Sequence, residues 1–187
     1  MEELPLIQHA RQGDQSAWIV LVEEHQQALF RLAYLILGDP NEAKDVTQEA
    51  FIRAYQNLDH FKDQYPLRPW LLRITTNQAR NRKRSLARYW AAITRFGKNQ
   101  DEVSQKSLEK TSARKHQSEM LWQAVKRLRK TDQDVIYLRF FMDLSVEETA
   151  QTLEIAPGTV KSRLHRSLKR LEAVIADDFP DLIEEYA

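Results

Sequence analysis

Residues 145–171, SVEETAQTLEIAPGTVKSRLHRSLKRL, decide how the chain is read. Two helical patterns lie in this stretch, separated by a short break. The first covers about Val146 to Leu153. It opens on Ser145 with Glu148 three positions later, the spacing of a capping box, and places Ala150 and Leu153 on one apolar side. The break falls at Glu154 to Ala156. Pro157 then opens a second helix, because proline's fixed φ and missing N–H suit the first helical turn. Val160, Leu164, Leu168 and Leu171 recur at helical spacing and give that helix its apolar stripe. Thr159, Lys161, Ser162, Arg163, His165, Arg166, Lys169 and Arg170 remain for the outside. The pattern is that of a helix-turn-helix. A helix fits the major groove of duplex DNA, its first backbone amides can receive a phosphate, and Arg, Lys, Ser and Thr reach bases or phosphates. The same spacing also fits a basic amphipathic helix in a plain helical hairpin.

Outward from this stretch the chain keeps reading as helix. It has 187 residues with only 4 glycines and 6 prolines, so long segments run without a breaker, and few segments alternate strictly between apolar and polar residues. Trp18, Leu21, Val22, Leu29, Leu32, Ala33 and Ile36 predict a helix from about Asp14 to Leu37, which Gly38 can end. Asp39-Pro40-Asn41-Glu42 predicts the next start, with Asp39 as cap and Glu42 closing a capping box. That helix runs to about Leu58 and buries Val46, Ala50, Phe51, Ala54 and Leu58. Asp59 to Pro69 is expected to connect. A third block, about Arg68 to Arg88, carries Trp70, Leu71, Ile74, Ala79 and Leu86. Residues from about Tyr89 to Ser118 lose periodicity, and Gly97, Asn99, Asp101, Ser104, Ser107, Thr111 and Ser112 predict a mobile linker, with Tyr89, Trp90, Ile93 and Phe96 able to dock on a neighbour. Beyond it Leu121, Val125 and Leu128 share a face. Thr131 is expected to cap the next helix, with Asp134 reaching back, and that helix carries Val135, Ile136, Leu138 and Phe141.

The net charge of +1 hides a strong segregation. From Gln64 to Gln100 there is no acid and there are nine bases: Arg68, Arg73, Arg80, Arg82, Lys83, Arg84, Arg88, Arg95 and Lys98. Tyr65, Trp70, Tyr89 and Trp90 lie among them. Rings that can stack on unpaired bases, beside cations that hold phosphates, suit single-stranded or melting DNA, although Trp70 also fits a place in the core. Lys161, Arg163, Arg166, Lys169 and Arg170 form a second cluster, and the last eleven residues hold five acids and no base.

Several function classes fall away. There is no cysteine, hence no disulfide, thiol nucleophile or cysteine metal site, which agrees with a reducing cytoplasm. His9, His25, His60, His116 and His165 make no HExxH spacing, and no P-loop is present. The start, MEELPLIQHARQGD, is not patterned as a signal peptide, and Leu29 to Leu37 is too short to span a bilayer.

Three stretches resemble the extracytoplasmic-function (ECF) sigma factors, the compact branch of the sigma-70 family of bacterial RNA polymerase sigma factors. They are NEAKDVTQEAFIRAYQNL (41–58), PLRPWLLRITTNQARNRKR (66–84) and TDQDVIYLRFFMDLSVEETAQTLEIAPGTVKSRLHRSLKRL (131–171). The resemblance implies an all-α fold of two small helical domains joined by a flexible linker, the second a helix-turn-helix of winged-helix-like kind without a wing. It implies residues 1–90 for polymerase binding and minus-ten recognition, 91–117 as linker, 118–176 for minus-thirty-five recognition, and 177–187 as an acidic tail.

It also implies roles. Asp45, Gln48, Glu49 and Arg53 match the exposed part of the helix that docks on the polymerase core, made by its beta and beta-prime subunits. Trp70, Arg73, Asn77, Arg80, Arg82, Lys83 and Arg84 match the segment that opens and reads the minus-ten element. Pro157, Gly158, Thr159, Lys161, Ser162, Arg163, His165, Arg166 and Lys169 match the minus-thirty-five reader. Asn81 and Arg82 stand where the family often has Asp followed by an aliphatic residue, and the prolines around Leu67 and Arg68 vary the usual Phe-x-x-Trp entry. The implied partners are polymerase core, promoter DNA and an anti-sigma factor that holds the protein inactive until a stress signal. No cofactor, metal, small-molecule substrate, catalysis or membrane insertion is implied, and the implied location is cytoplasmic. A stand-alone helix-turn-helix regulator is the other reading; it commonly needs a dimer seam, and no coiled-coil heptads supply one.

Overall fold

The computed structural model describes residues 3–96, 113–180 and 182, with side chains except those of Trp90, 92–96 and 113–118. The elements are α1 (Glu3–Arg11), α2 (Gln15–Leu37), α3 (Pro40–Gln56), α4 (Leu67–Phe96), α5 (Ala113–Arg127), α6 (Lys130–Ile136), α7 (Val146–Leu153) and α8 (Pro157–Asp178). A 3₁₀ turn at Leu58–His60 follows α3, and α6 widens into a π-type turn over Tyr137–Phe141. The described residues hold no strand, which agrees with the all-α expectation. Two compact units form, one of α1 to α4 with α7, the other of α5, α6 and α8.

In the first unit α2, α3 and α4 pack against one another around Leu21, Leu29, Leu32, Val46, Leu67, Leu71 and Leu72, all essentially inaccessible to solvent. The caps are those the sequence chemistry calls for. Asp14 accepts from the Ser16 and Ala17 amides at the start of α2. Gly38 ends α2 at φ 78°, a left-handed conformation that a side chain resists, and its N–H reaches Tyr34 O at 2.8 Å. Asp39 Oδ1 accepts from the Asn41 and Glu42 amides at 2.8 and 2.9 Å, with Pro40 in the first turn. Glu42 does not close the expected box, because Arg82 takes its carboxylate.

Three further expectations change. Helix α1 was not legible: it is only nine residues long and buries just Ile7 and Ala10. Polar ties hold it instead. His25, buried in α2, bonds Glu3 Oε1 at 2.9 Å, and Glu3 Oε2 accepts the Leu67 amide at the start of α4. Arg11 donates to the Leu58 and Phe61 carbonyls and pairs with Asp63. Next, α4 begins at Leu67, beside the expected start near Arg68, and takes in Pro69 from the expected connection, since a proline in the first turn removes only an N–H that had no helical partner. It also continues past Arg88 to Phe96, because no glycine or proline interrupts it before Gly97. The expected linker therefore gives its two ends to helices, and its middle, 97–112, lies outside the described residues, as do the side chains of Trp90, Ile93 and Phe96.

The second unit centres on Tyr137, stacked on Trp122 at 5.5 Å between ring centres and edge-on to Phe141 at 5.9 Å, with Ala124, Val125, Val135 and Leu138 buried around it. Burial pushes the Tyr137 hydroxyl well above its ordinary value. Thr131 does not cap α6. The helix starts two residues earlier, with Arg129 at the cap and no side-chain cap bond. Gln133 donates instead to the Lys126 and Leu128 carbonyls at 2.9 and 2.8 Å, closing the end of α5. Leu121 is 41% exposed, and Ala124 takes the buried place beside Val125 and Leu128.

The Glu3 tie yields a pH-dependent stability. Its bond to His25 holds the Glu3 carboxyl below its ordinary value of 4.5, against the opposing effect of burial. The folded value lies below the unfolded one, so the stabilisation is complete above 4.5 and is lost as pH falls through the lowered value. Glu3→Gln is expected to cost about 1 kcal/mol near neutral pH, discounted for partial exposure. Urea unfolding at several pH values should show that difference collapsing in acid; a difference that persists there would place the tie's contribution elsewhere.

Candidate nucleic-acid interface

The recognition segment is built locally. Helix α7 ends at Leu153 and α8 starts at Pro157, leaving three residues of turn. Glu154 in that turn takes φ 55°, a left-handed conformation that costs a non-glycine residue about 1–2 kcal/mol. Ala156 is the N-cap of α8 and offers no side-chain acceptor; Pro157 has no N–H, and the Thr159 and Val160 amides bond the Ala156 carbonyl at 2.8 and 3.1 Å. Nothing lies within 4 Å of where a Cβ would stand on Gly158, which leaves that helix end open.

Along α8 two faces separate. Pro157, Gly158, Lys161, Ser162, His165, Arg166 and Lys169 are exposed, and Thr159 and Arg163 are half-buried. The inward side carries Val160 and Ser167, both wholly buried, with Leu164 and Leu171 half-buried. Leu168, expected on the stripe, is 39% exposed, because the buried row runs 160, 164, 167, 171. Ser167 tolerates burial by donating its hydroxyl to the Arg163 carbonyl at 2.8 Å. Arg166 folds back onto the Ser162 carbonyl at 3.1 Å. Arg170 pairs with the buried Asp132 at 2.7 Å and so ties α8 to α6.

Helix α4 is divided in the same way. Trp70, Arg73, Asn77, Arg80, Arg84 and Arg88 recur at spacings of three and four and define one side of the helix. Trp70 is half-buried against Phe61, ring centres 5.2 Å apart, so the core reading holds for part of its surface. Asn77, Arg84 and Arg88 are exposed. The other side is buried by Leu71, Leu72, Thr75, Thr76, Gln78 and Ala79. Thr75 and Thr76 satisfy their hydroxyls on the Leu71 and Leu72 carbonyls at 3.0 and 2.8 Å. Arg82 and Lys83 continue this inner side. Arg82 pairs with Glu42, with Asp45 3.9 Å away, and Lys83 donates to the Ile36 carbonyl at 2.7 Å, at the electronegative end of α2. Glu42 holds the Arg82 guanidinium in its charged form even more firmly than usual.

On α3, Asp45, Gln48, Glu49 and Arg53 are all exposed, as the periodicity required. Ile52, 58% exposed, shares their face and was missed; an apolar residue left outside by a buried stripe of Val46, Ala50 and Ala54 was the available signal. Tyr55 is also exposed and leans on Trp18 at 5.2 Å. Glu3, Glu24 and His25 bring possible ligand atoms within 4.8 Å of one another, but Glu3 already serves His25 and the Leu67 amide. Among the described residues no helix is long and apolar enough to cross a membrane.

Comparison with known proteins bears on these surfaces directly. Residues 21–89 match Sigma-70 region 2 and residues 118–171 match Sigma-70, region 4. The ECF RNA polymerase sigma factor SigW of Bacillus subtilis is 33% identical across 91% of this chain and 95% of its own. Two solved structures share the fold: CnrH in complex with the cytosolic domain of CnrY, with TM-score 0.72 and 24% identity over 95% of this chain and 99% of that one, and RpoE of Bartonella quintana in complex with the anti-sigma factor NepR, with TM-score 0.63 and 21% identity over 84% and 95%. The chain belongs to the sigma-70 family of RNA polymerase sigma factors, in its ECF branch. It is a transcription initiation factor that binds RNA polymerase and promoter DNA.

The faces of α8 separate the paired Arg170 from exposed cations. Arg170→Met leaves the buried Asp132 carboxylate without its partner and is expected to cost about 1–3 kcal/mol of stability. Lys169→Met removes the same charge from the exposed face and should leave stability within about 0.5 kcal/mol. Denaturant melts of both variants check this; equal losses would mean that the two cations are not divided as described.

Proposed function

We propose that the first unit docks on the polymerase core through the exposed face of α3 and engages the minus-ten element through α4, while α8 reads the minus-thirty-five element. The observation that carries this reading is the division of all three helices into a buried face and an exposed face whose charge suits the ligand. On α3 the exposed face is acidic and polar around an apolar Ile52: Asp45, Gln48, Glu49 and Arg53. On α4 it is cationic beside an aromatic ring: Trp70, Arg73, Asn77, Arg80 and Arg84. On α8 the helix start and its outer face, Pro157, Gly158, Thr159, Lys161, Ser162, Arg163, His165, Arg166 and Lys169, lie against the major groove. Residues 1–90 and 118–176 form the two working domains, with 91–117 between them and an acidic tail from 177.

In this role the protein selects and helps open the promoter, needs no cofactor or metal, and leaves phosphoryl transfer to the polymerase. The solved relatives CnrH and RpoE are each held by a protein partner, CnrY or the anti-sigma factor NepR. We extend that arrangement to this chain, with an anti-sigma factor of matching chemistry covering its surfaces in the cytoplasm until a stress signal releases it.

Reconstitution tests the reading. Pure protein mixed with bacterial core polymerase is expected to produce start-site-specific transcription from a genomic promoter pool. Asp45→Lys with Glu49→Lys should weaken core binding by titration while the protein stays folded. Arg166→Ala should lower promoter occupancy by about 1–3 kcal/mol if that side chain reads a base edge. Tight binding to a palindromic duplex without polymerase, and no specific starts, would instead support a stand-alone regulator.

A further inference from the structure

The segment from Gln64 to Gln100 contains no acid, so α4 cannot neutralise any of its own cations. Glu154, in the turn after α7, pairs with Arg73 at 2.7 Å, and the acids that reach Arg82 come from α3. Glu42 lies in the first turn of α3 and is fixed there by Asp39, whose side chain accepts the Glu42 amide at 2.9 Å. Its carboxylate takes Arg82 Nε, and Asp45, one turn further on, stands 3.9 Å from Arg82 Nη2. The guanidinium is not buried by this arrangement: the side chain remains 38% exposed, as does that of Asp45 at 58%. Arg82 is therefore a surface cation directed along the surface toward α3, away from the side of α4 that carries Arg73, Asn77, Arg80, Arg84 and Arg88. Bound to a carboxylate, it has little to offer a phosphate.

We propose that Glu42 is a positioning residue that withholds Arg82 from nucleic acid, so that α3 sets whether Arg82 joins the cations that α4 presents to DNA. The proposal deepens the reading of α4 as a DNA-facing helix and rests on it. A phosphate that approached Arg82 would meet the Glu42 and Asp45 carboxylates at the same place, and like charges repel it. The basic run 80–84 thus acts as two groups. Arg84, bonded within the helix to Asn81, stays on the exposed side, while Arg82 and Lys83 fasten α4 to α3 and α2.

Counting released counterions separates this from a purely structural ion pair. The full-length protein is titrated with a labelled single-stranded DNA oligonucleotide over a series of salt concentrations. The slope of log affinity against log salt changes by about 0.7 for each single-strand phosphate that a cation engages or releases. Arg84→Gln is expected to make the slope shallower by about 0.7, and Arg82→Gln to leave it unchanged. Glu42→Gln is expected to steepen it by about 0.7, since it frees one cation, and adding Arg82→Gln to Glu42→Gln should return it to the parent value. A structural pair alone would lower melting temperature without steepening the slope. Should Glu42→Gln fail to fold, the contrast between Arg82→Gln and Arg84→Gln decides. Equal flattening by those two would overturn the proposal and keep α4 as the DNA-facing helix. No change with any variant, or no binding by the parent protein, would overturn both.

Discussion

A helix offered to a polyanion, as α4 is in the proposed function, must carry cations on one side while protein holds it on the other, and this constraint matches how α4 is packed. Thirty residues long, α4 has no acid, so every neutralising contact must come from another element. Its inner side meets the requirement in two ways. Buried threonines turn their hydroxyls onto the helix's own carbonyls and enter the core without a foreign partner. Further along, Arg82 and Lys83 reach out to a carboxylate of α3 and the last turn of α2. The position of α3 is in turn set by Asp39 and Pro40, so a helix cap decides where the acid for Arg82 stands. The packing of α2, α3 and α4 therefore also fixes the charge that α4 can show.

Where one strong local rule applied, the sequence was readable. Asp39-Pro40 begins α3, Gly38 ends α2, and Pro157 opens α8, because caps and prolines act within one turn and need no tertiary context. The apolar stripes of α2 and α3 were also visible, since most of their buried positions are apolar residues at helical spacing. Helix α1 was not, because His25, Glu3 and Arg11 hold it through partners far away in sequence. Ser167, Thr75 and Thr76 escape a search for core residues because hydropathy counts their hydroxyls as polar, whereas a bond to a carbonyl one turn back removes most of that cost.

The candidate site shows the same limit in sharper form. Residue type and family resemblance select Arg82 and Lys83 together with Arg80 and Arg84, and adjacency in sequence makes them look equivalent. A helix rotates about 100° per residue, so four basic residues within a five-residue stretch cannot all face one ligand. Which of them turn inward depends on where Glu42 and Ile36 O stand, and that is tertiary information. On α8 the periodicity did most of this sorting, because the wholly buried Val160 anchors the inner row. Arg170 nonetheless sits next to the exposed Lys169 and serves Asp132 rather than the outer face.

The near-neutral total, +1 over the whole chain, bears on how such a protein finds DNA. Long-range attraction follows net charge, and at physiological salt fields fade over about 8 Å. A chain this close to neutrality has little steering from a distance, and its basic stripes act only once DNA is within a few ångströms. An initiation factor that first docks on a polymerase does not need steering of its own. Attachment to an enzyme already on DNA turns the second encounter into a local one at high effective concentration. Acids on α3 dilute the charge that would bind DNA indiscriminately, and in the proposed function they also mark the face that meets protein. Specificity in this arrangement comes from few cations, each held to one side of its helix, rather than from many.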